Sequence, residues 1–385
     1  MLDVKPDLEY IIRVRRELHR VPELRFDLPK TLAIVRRELE SLGIEYTEKY
    51  GRSSIVAYLA KGRGRAIGIR ADMDALPIKE ESGVPFSSEH EGMMHACGHD
   101  AHTAMLIGTA KMLKECEDEL PSEVRLFFQP SEEKSPGGAI LMCEDGCMDG
   151  VEAILATHVD TSVEPGCIAF NYSNMNACSR GIKITAKGKV AHAATPHKGI
   201  DALAMAYKIY GAISLIKARE LDPKECTVIS IGMINGGTAP NNVCDKVEMY
   251  GTVRTHSDEL SEHIFKRITE IAESVARDMG GEALVETTGL YPIVTNDKRL
   301  AEIFYRSSVR VLGEEHVNDK HEASLGGEDF SRYLKYSPGV FFRNGVKVQN
   351  VICSSHNANF VIDESALDVA PRMYLEFIKE YFSIK

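Results

Sequence analysis

Four short apolar runs constrain this chain more than any other feature. SSIVAYLA (53–60), RAIGIRA (65–71), VRLFFQP (124–130) and VEAILATHV (151–159) are rich in β-branched or other apolar residues and are bounded by Gly, Pro or charge. Runs that stay apolar instead of alternating are expected of strands buried on both faces, as in a mainly parallel sheet. The segments around them have helical spacing: LEYIIRVRRELHR (8–20), LPKTLAIVRRELESLG (28–43) with Gly43 as its C-cap, and AHTAMLIGTAKMLKEC (101–116), entered through Asp100 as a plausible N-cap. This is the βαβα rhythm of an α/β domain.

The rhythm changes between about Gly181 and Tyr291. A strand pattern (GIKITAKGK) is followed by a long helix (GIDALAMAYKIYGAISLIKARE), two strands (CTVISIGMING, KVEMYGTVRTH), a helix ended by glycines and a last strand (EALVETTGLYP). The order βαββαβ is that of a ferredoxin-like unit. The expectation is therefore an α/β fold of two domains, one made of residues 1–180 and 292–385, the other an α+β insert over 181–291. A length of 385 residues suits two cores.

Net charge is −11 without a basic run, which argues against a nucleic-acid partner. No apolar stretch approaches the ~20 residues that span a bilayer, and the N-terminus lacks the apolar region of a signal peptide. Nine cysteines in no framework pattern read as reduced thiols of a cytoplasmic protein. Cys143 and Cys147, the closest pair, read as helix-face thiols.

The chemistry concentrates where the strands end. HACGHDAHTA (95–104) offers His95, Cys97, His99, Asp100 and His102 as donors. Residues two apart in an extended loop face one side, so Cys97 and His99 can share a site, and a thiolate with an imidazole suits zinc or a similar ion. A buried thiol beside hydrogen-bonded histidines is the plainer alternative. RAIGIRADMD ends in Asp72 and Asp74, VRLFFQPSEE in Glu132 and Glu133, and VEAILATHVD in His158. Ligands in open α/β sheets sit outside the carboxyl ends of strands. Donors gathered from separate strand ends point to a catalytic centre; a structural zinc knot draws on two tightly spaced pairs.

ADMDALP, GMMHACGHDAHTAMLIG, FFQPSEE with GGA, THVD, AHAATPHKGIDA, GGTAPNNV, GTVRT and GGEDF, in this order along nearly the whole chain, resemble the M20 metallopeptidase superfamily. The closer likeness is to its amidohydrolase branch of aminoacylases, hippurate hydrolases and auxin-conjugate hydrolases. The resemblance implies a catalytic domain with two divalent ions held by Cys97, His99, Glu133, His158 and His356, the last chosen over His316 and His321 for its NF and IDE context. Zinc, manganese, cobalt and nickel all suit such a mixed ligand set. It implies Glu132 as general base, Asp74 as support for the centre from behind, and Asp72 outside the first ring of ligands. His95 is expected as a neighbour of the ligands, and His102 as a packing residue.

In the insert, the resemblance implies a lid and dimerisation domain. His192 would donate to the carbonyl oxyanion, in the partner subunit's site, and Asn242 and Arg254 would hold the substrate's carbonyl and carboxylate. The bland alternatives are a structural histidine and a strand-face arginine. Glu328 and Asp329 of GGEDF would brace the centre as a loop.

The implied activity is hydrolysis of the amide of an N-acyl amino acid or related conjugate by a homodimer. Amide hydrolysis needs a nucleophile, an electrophile and a proton for the leaving amine. Water on a metal has its pKa lowered from near 16 to about 7, and Glu132 can shuttle the proton. A carboxypeptidase or dipeptidase of the same superfamily, and a catalytically silent metal-binding scaffold, are the rival expectations.

Overall fold

A computed structural model describes residues 4–351 and 354–383. The chain forms two compact units, Met1–Met175 with Val294–Ala323 and Asp329–Lys385, and Asn176–Ile293 with Ser324–Glu328. The second unit thus reaches past the 181–291 insert and takes in a segment far downstream. Ala177 N donates to Gly326 O (3.1 Å) and Arg254 Nη1 to Leu325 O (2.8 Å). Such long-range pairing leaves no periodicity in the sequence.

The first unit is built on an eight-stranded sheet. Its centre is four mutually parallel neighbours, in the order Val124–Gln129, Ala66–Asp72, Val151–Asp160 and Gly339–Gly345. All seven residues of Ala66–Asp72 and of Gly339–Gly345 are buried, which explains why neither strand alternates, although each also buries an arginine, Arg70 and Arg343. Ile55–Leu59, expected within a mainly parallel sheet, instead runs antiparallel to Val124–Gln129. The 60–65 connection is too short for a crossover, so the chain turns back on itself.

Helix His99–Glu115 is buried almost all round, the mark of a central helix. Helix Leu8–Arg20 is N-capped by Asp7, whose side chain accepts from Tyr10 N (3.0 Å), and buries Ile11, Val14 and Leu18 at helical spacing. It meets the central helix at Gly108, where a Cβ would stand 2.4 Å from Ile11 Cγ1. The parallel strands therefore all point their carboxyl ends to one edge, beside the N-terminus of a rigid central helix.

The second unit carries a four-stranded antiparallel sheet in the order Thr227–Gly236, Lys246–Thr255, Cys178–Lys187, Glu282–Tyr291. Helices Ala202–Arg219, capped by Asp201, and Asp258–Asp278, capped by Ser257, close its core with Met205, Ile209, Ile264 and Ile268 against Ile182, Ile184, Val247 and Met249. A two-stranded ribbon pairs Ala191–His192 with Asn242–Val243. Among the described residues no helix is long and apolar enough to cross a membrane.

Candidate metal centre

The central helix starts one residue before Asp100. Its N-cap is Gly98, at φ +88°, and His99 opens the first turn. Asp100 is consequently no cap. It is wholly buried, and its Oδ2 accepts from Arg15 Nε (3.0 Å) and His19 Nδ1 (2.8 Å). Burial opposes a charge on His19, but Asp100 and then Glu80 outweigh it and raise the imidazole to about 9. The ion cluster braces the helix end from below.

Gly98 matters for a second reason. A Cβ there would lie 2.3 Å from Val159 Cγ2, beside the strand end that carries His158. Gly98→Ala is expected to destabilise the protein by about 2–5 kcal/mol, adding left-handed strain to overpacking. Denaturant unfolding of the variant checks this; a loss within 0.5 kcal/mol would contradict it.

Cys97, His99 and His158 come together from loop, helix and strand, with their donor atoms within 4.8 Å of one another. Cys97, Glu133 and His356 form a second such group, and His99, Glu132 and Glu133 a third. Cys97 Sγ belongs to the first two and His99 to the first and third, so the groups are contiguous. His158 Nδ1 bonds Val159 O (2.7 Å), leaving Nε2 directed at Cys97 Sγ, 3.3 Å away. His99 Nδ1 bonds Asp74 O (2.8 Å), while its Nε2 is buried without a hydrogen-bond partner. A buried nitrogen left this way is costly unless an ion takes its lone pair. The residues present therefore fit a pair of divalent ions.

Asp74 organises the glutamate pair through the backbone. Its Oδ1 accepts from Glu132 N (2.8 Å) and its Oδ2 from Glu133 N (3.2 Å). Burial raises the Asp74 carboxyl above its ordinary range. Glu133 Oε1 stands 3.2 Å from His356 Nε2 and 3.8 Å from His99 Nε2. Burial opposes its charge, but His356 and His99 prevail and hold it below the usual carboxylate range. Burial, then the Glu133 charge, pushes the Cys97 thiol up to about 12. A divalent ion at the sulfur acts the other way and favours the thiolate.

His356 is brought to the group by a backbone bond from its N–H to Ala96 O (2.7 Å), in a turn where it adopts φ +65°. His316 and His321 join no such group among the described residues. His95 is buried with both ring nitrogens unbonded and is likewise outside the groups. His102 is not a packing residue: its Nδ1 bonds Asp72 Oδ1 (2.6 Å) and its Nε2 accepts from Val159 N (2.9 Å). Both Asp72 oxygens are engaged, the other by Arg70 Nη1 (2.7 Å). Cys143 and Cys147 are buried free thiols, the first on helix Gly138–Glu144 and the second just beyond it.

In the second unit, His192 and Asn242 are direct cross-strand partners. His192 is exposed, and its Nδ1 accepts from Ala194 N (3.0 Å), so the neutral ring carries its proton on Nε2. Arg254 is half-buried in the sheet, opposite Val228 and Ser179. Glu328 lies in the segment that joins the second unit, whereas Asp329 belongs to the first. Asp329 Oδ1 accepts from Arg70 Nη2 (2.7 Å), and its Oδ2 from Ala139 N (3.2 Å). The reading of the motifs passed over Arg70, whose one signal was a charge inside an otherwise apolar strand.

Residues 68–380 match the family described as Peptidase family M20/M25/M40. The chain belongs to the M20 peptidase family. Proteins similar to it include the N-acetylcysteine deacetylase of Bacillus subtilis, 37% identical over 95% of this chain and 95% of that one. Thermostable carboxypeptidase 2 of Saccharolobus solfataricus is 36% identical over 95% of this chain and 93% of the other. A solved Bacillus subtilis structure, described as a dinuclear metal binding peptidase from the M20 family, superposes with a TM-score of 0.83 at 34% identity, covering 96% of this chain and 97% of that one. As an M20 protein, this chain is a metal-dependent hydrolase with an α/β fold.

Proposed function

We propose that this M20 hydrolase cleaves the amide bond of N-acyl amino acids or related conjugates, with Glu132 as general base. The observation that carries the reading is the shared sulfur of Cys97 between two donor groups, with the Glu132 carboxylate beside Glu133 and His99. Two divalent ions held by Cys97, His99, Glu133, His158 and His356 would supply a Lewis acid for the carbonyl and acidify a water. Glu132 takes the proton from that water and returns it to the departing amine. Asp74 holds the backbone of both glutamates in place, so the base and the ligand keep a constant separation. His192 offers its Nε2–H to the carbonyl oxygen as charge develops there, a contribution of ~10²–10³ in rate. Asn242, paired with His192, binds the same carbonyl. Arg254 takes the carboxylate of the amino-acid half.

The N-acetylcysteine deacetylase relative supports an acyl-amino-acid substrate, and the carboxypeptidase relative favours peptides as the second reading. Parallel assays of the metal-loaded protein on N-acetyl and N-benzoyl amino acids and on dipeptides decide between them. Turnover of the acyl amino acids is expected to exceed that of the peptides by at least tenfold. The reverse preference would transfer the assignment to the peptidase.

The four-stranded unit, with its ferredoxin-like strand order, is read as a lid and dimerisation module. Its edge strand Thr227–Gly236 exposes Met233 and Ile234, and helix Ala202–Arg219 exposes Leu203, Tyr207 (79% accessible) and Tyr210 at helical spacing. An unpaired edge flanked by an apolar stripe is what a two-fold interface would cover. Ile234→Lys with Tyr207→Glu is expected to give a monomer in sedimentation velocity. If His192 serves the partner subunit, mixing inactive His192→Ala and Glu132→Gln proteins restores about a quarter of the sites. No recovery after subunit exchange would assign His192 to its own subunit.

A further inference from the structure

We infer that His102 is a positioning residue for the metal centre, fixing the backbone that carries His158 through a hydrogen-bond chain that starts at Arg70. The inference rests on the assignment of Cys97, His99 and His158 as ligands.

The direction of every link in the chain is determined. Val159 N–H can only donate, so His102 Nε2, 2.9 Å away, must present its lone pair. The imidazole then has its proton on Nδ1 and gives it to Asp72 Oδ1 at 2.6 Å. A doubly protonated ring would set N–H against N–H at Val159. Asp72 Oδ2 accepts from Arg70 Nη1 at 2.7 Å, and its backbone carbonyl accepts from Thr103 Oγ1 at 2.7 Å. At the far end, the carbonyl of the same residue, on the next peptide group, accepts from His158 Nδ1 at 2.7 Å. One residue, Val159, thus receives the chain on its N–H and orients the candidate ligand through its C=O.

Burial gives the links their force. Arg70, Asp72 and His102 are all at most 2% exposed, so no water competes for the bonds. The chain also branches toward the other donor group. Arg70 Nη2 bonds Asp329 Oδ1, and Asp329 Oδ2 holds Ala139 N, just beyond the loop of Glu132 and Glu133. Partners of this kind orient metal ligands, and losing one typically weakens metal binding or activity 10–100-fold.

Asp72→Asn is a near-isosteric break. Its amide cannot accept from Arg70 and from His102 at once, so one link must face donor to donor. His102→Leu removes both links, whereas His102→Gln keeps an acceptor able to reach Val159 N–H. The test is Co²⁺ titration of the whole protein, read by the thiolate-to-cobalt charge-transfer band and the ligand-field bands, with circular dichroism and thermal melts alongside. Asp72→Asn and His102→Leu are expected to keep a cooperative melt, shift the cobalt bands and bind one ion about 10–100-fold more weakly. His102→Gln should recover part of that loss. Wild-type affinity and bands in both Asp72→Asn and His102→Leu would overturn the proposal. Absence of a thiolate–cobalt band in the wild type would instead overturn the ligand assignment beneath it. Should the variants not fold, ring nitrogen NMR of the ¹⁵N-histidine wild-type protein still decides. A neutral Nδ1–H tautomer at His102 is expected, and an Nε2–H tautomer or an imidazolium would refute the chain.

Discussion

Glu132→Gln is expected to retain both metal ions and lose turnover by about 10²–10⁴-fold. The substitution preserves volume, and the backbone bond from residue 132 N to Asp74 Oδ1 (2.8 Å) does not involve the side chain. Glu133, the neighbour in the ligand group, therefore keeps its position. What disappears is a basic oxygen within the group that includes His99. Metal analysis after gel filtration and steady-state kinetics on the same sample test the two halves separately. If the variant loses metal in proportion to activity, Glu132 is a ligand and not the base.

Replacing Cys97 should be more disruptive still. Its sulfur is common to the group with His99 and His158 and the group with Glu133 and His356. Cys97→Ala is expected to release both ions and lower activity by about 10³-fold or more, since bound ions supply several kcal/mol of transition-state stabilisation. His356→Ala removes an exposed member of one group only, and one ion should remain. The comparison is a metal count per chain at fixed free Co²⁺. Two ions retained by Cys97→Ala would refute Cys97 as a donor common to both groups.

Much of this site was legible before any coordinates. Strand Ala66–Asp72 closes on Asp72, Glu132 and Glu133 follow strand Val124–Gln129, and His158 lies two residues before the end of Val151–Asp160, so a change from apolar to polar residues marks each strand end in the sequence. Cys97 and His99 do share a donor group, but not through the extended-loop spacing expected of them: Cys97 sits in a turn, Gly98 is left-handed and His99 opens the helix. The entry to the central helix was misread because Asp100 has the chemistry of an N-cap. Gly98 starts the helix earlier, and the carboxylate turns to Arg15 and His19, partners brought by the first helix.

His102 shows the limit more sharply. Its place inside an apolar helix suggested packing, yet both ring nitrogens are bonded, to Asp72 and to Val159. Nothing near it in the chain announces those partners. Asp329 likewise meets Arg70 across 259 positions, a pairing set by which elements the sheet brings side by side.

By itself, then, the sequence determined the elements, the ends of the strands and the donors available there, since periodicity, capping and burial act over a few neighbouring residues. The tertiary structure decided which donors share a sulfur, which histidine nitrogen carries its proton, and which buried charge answers which. Those outcomes depend on distances between residues that only the strand order makes neighbours.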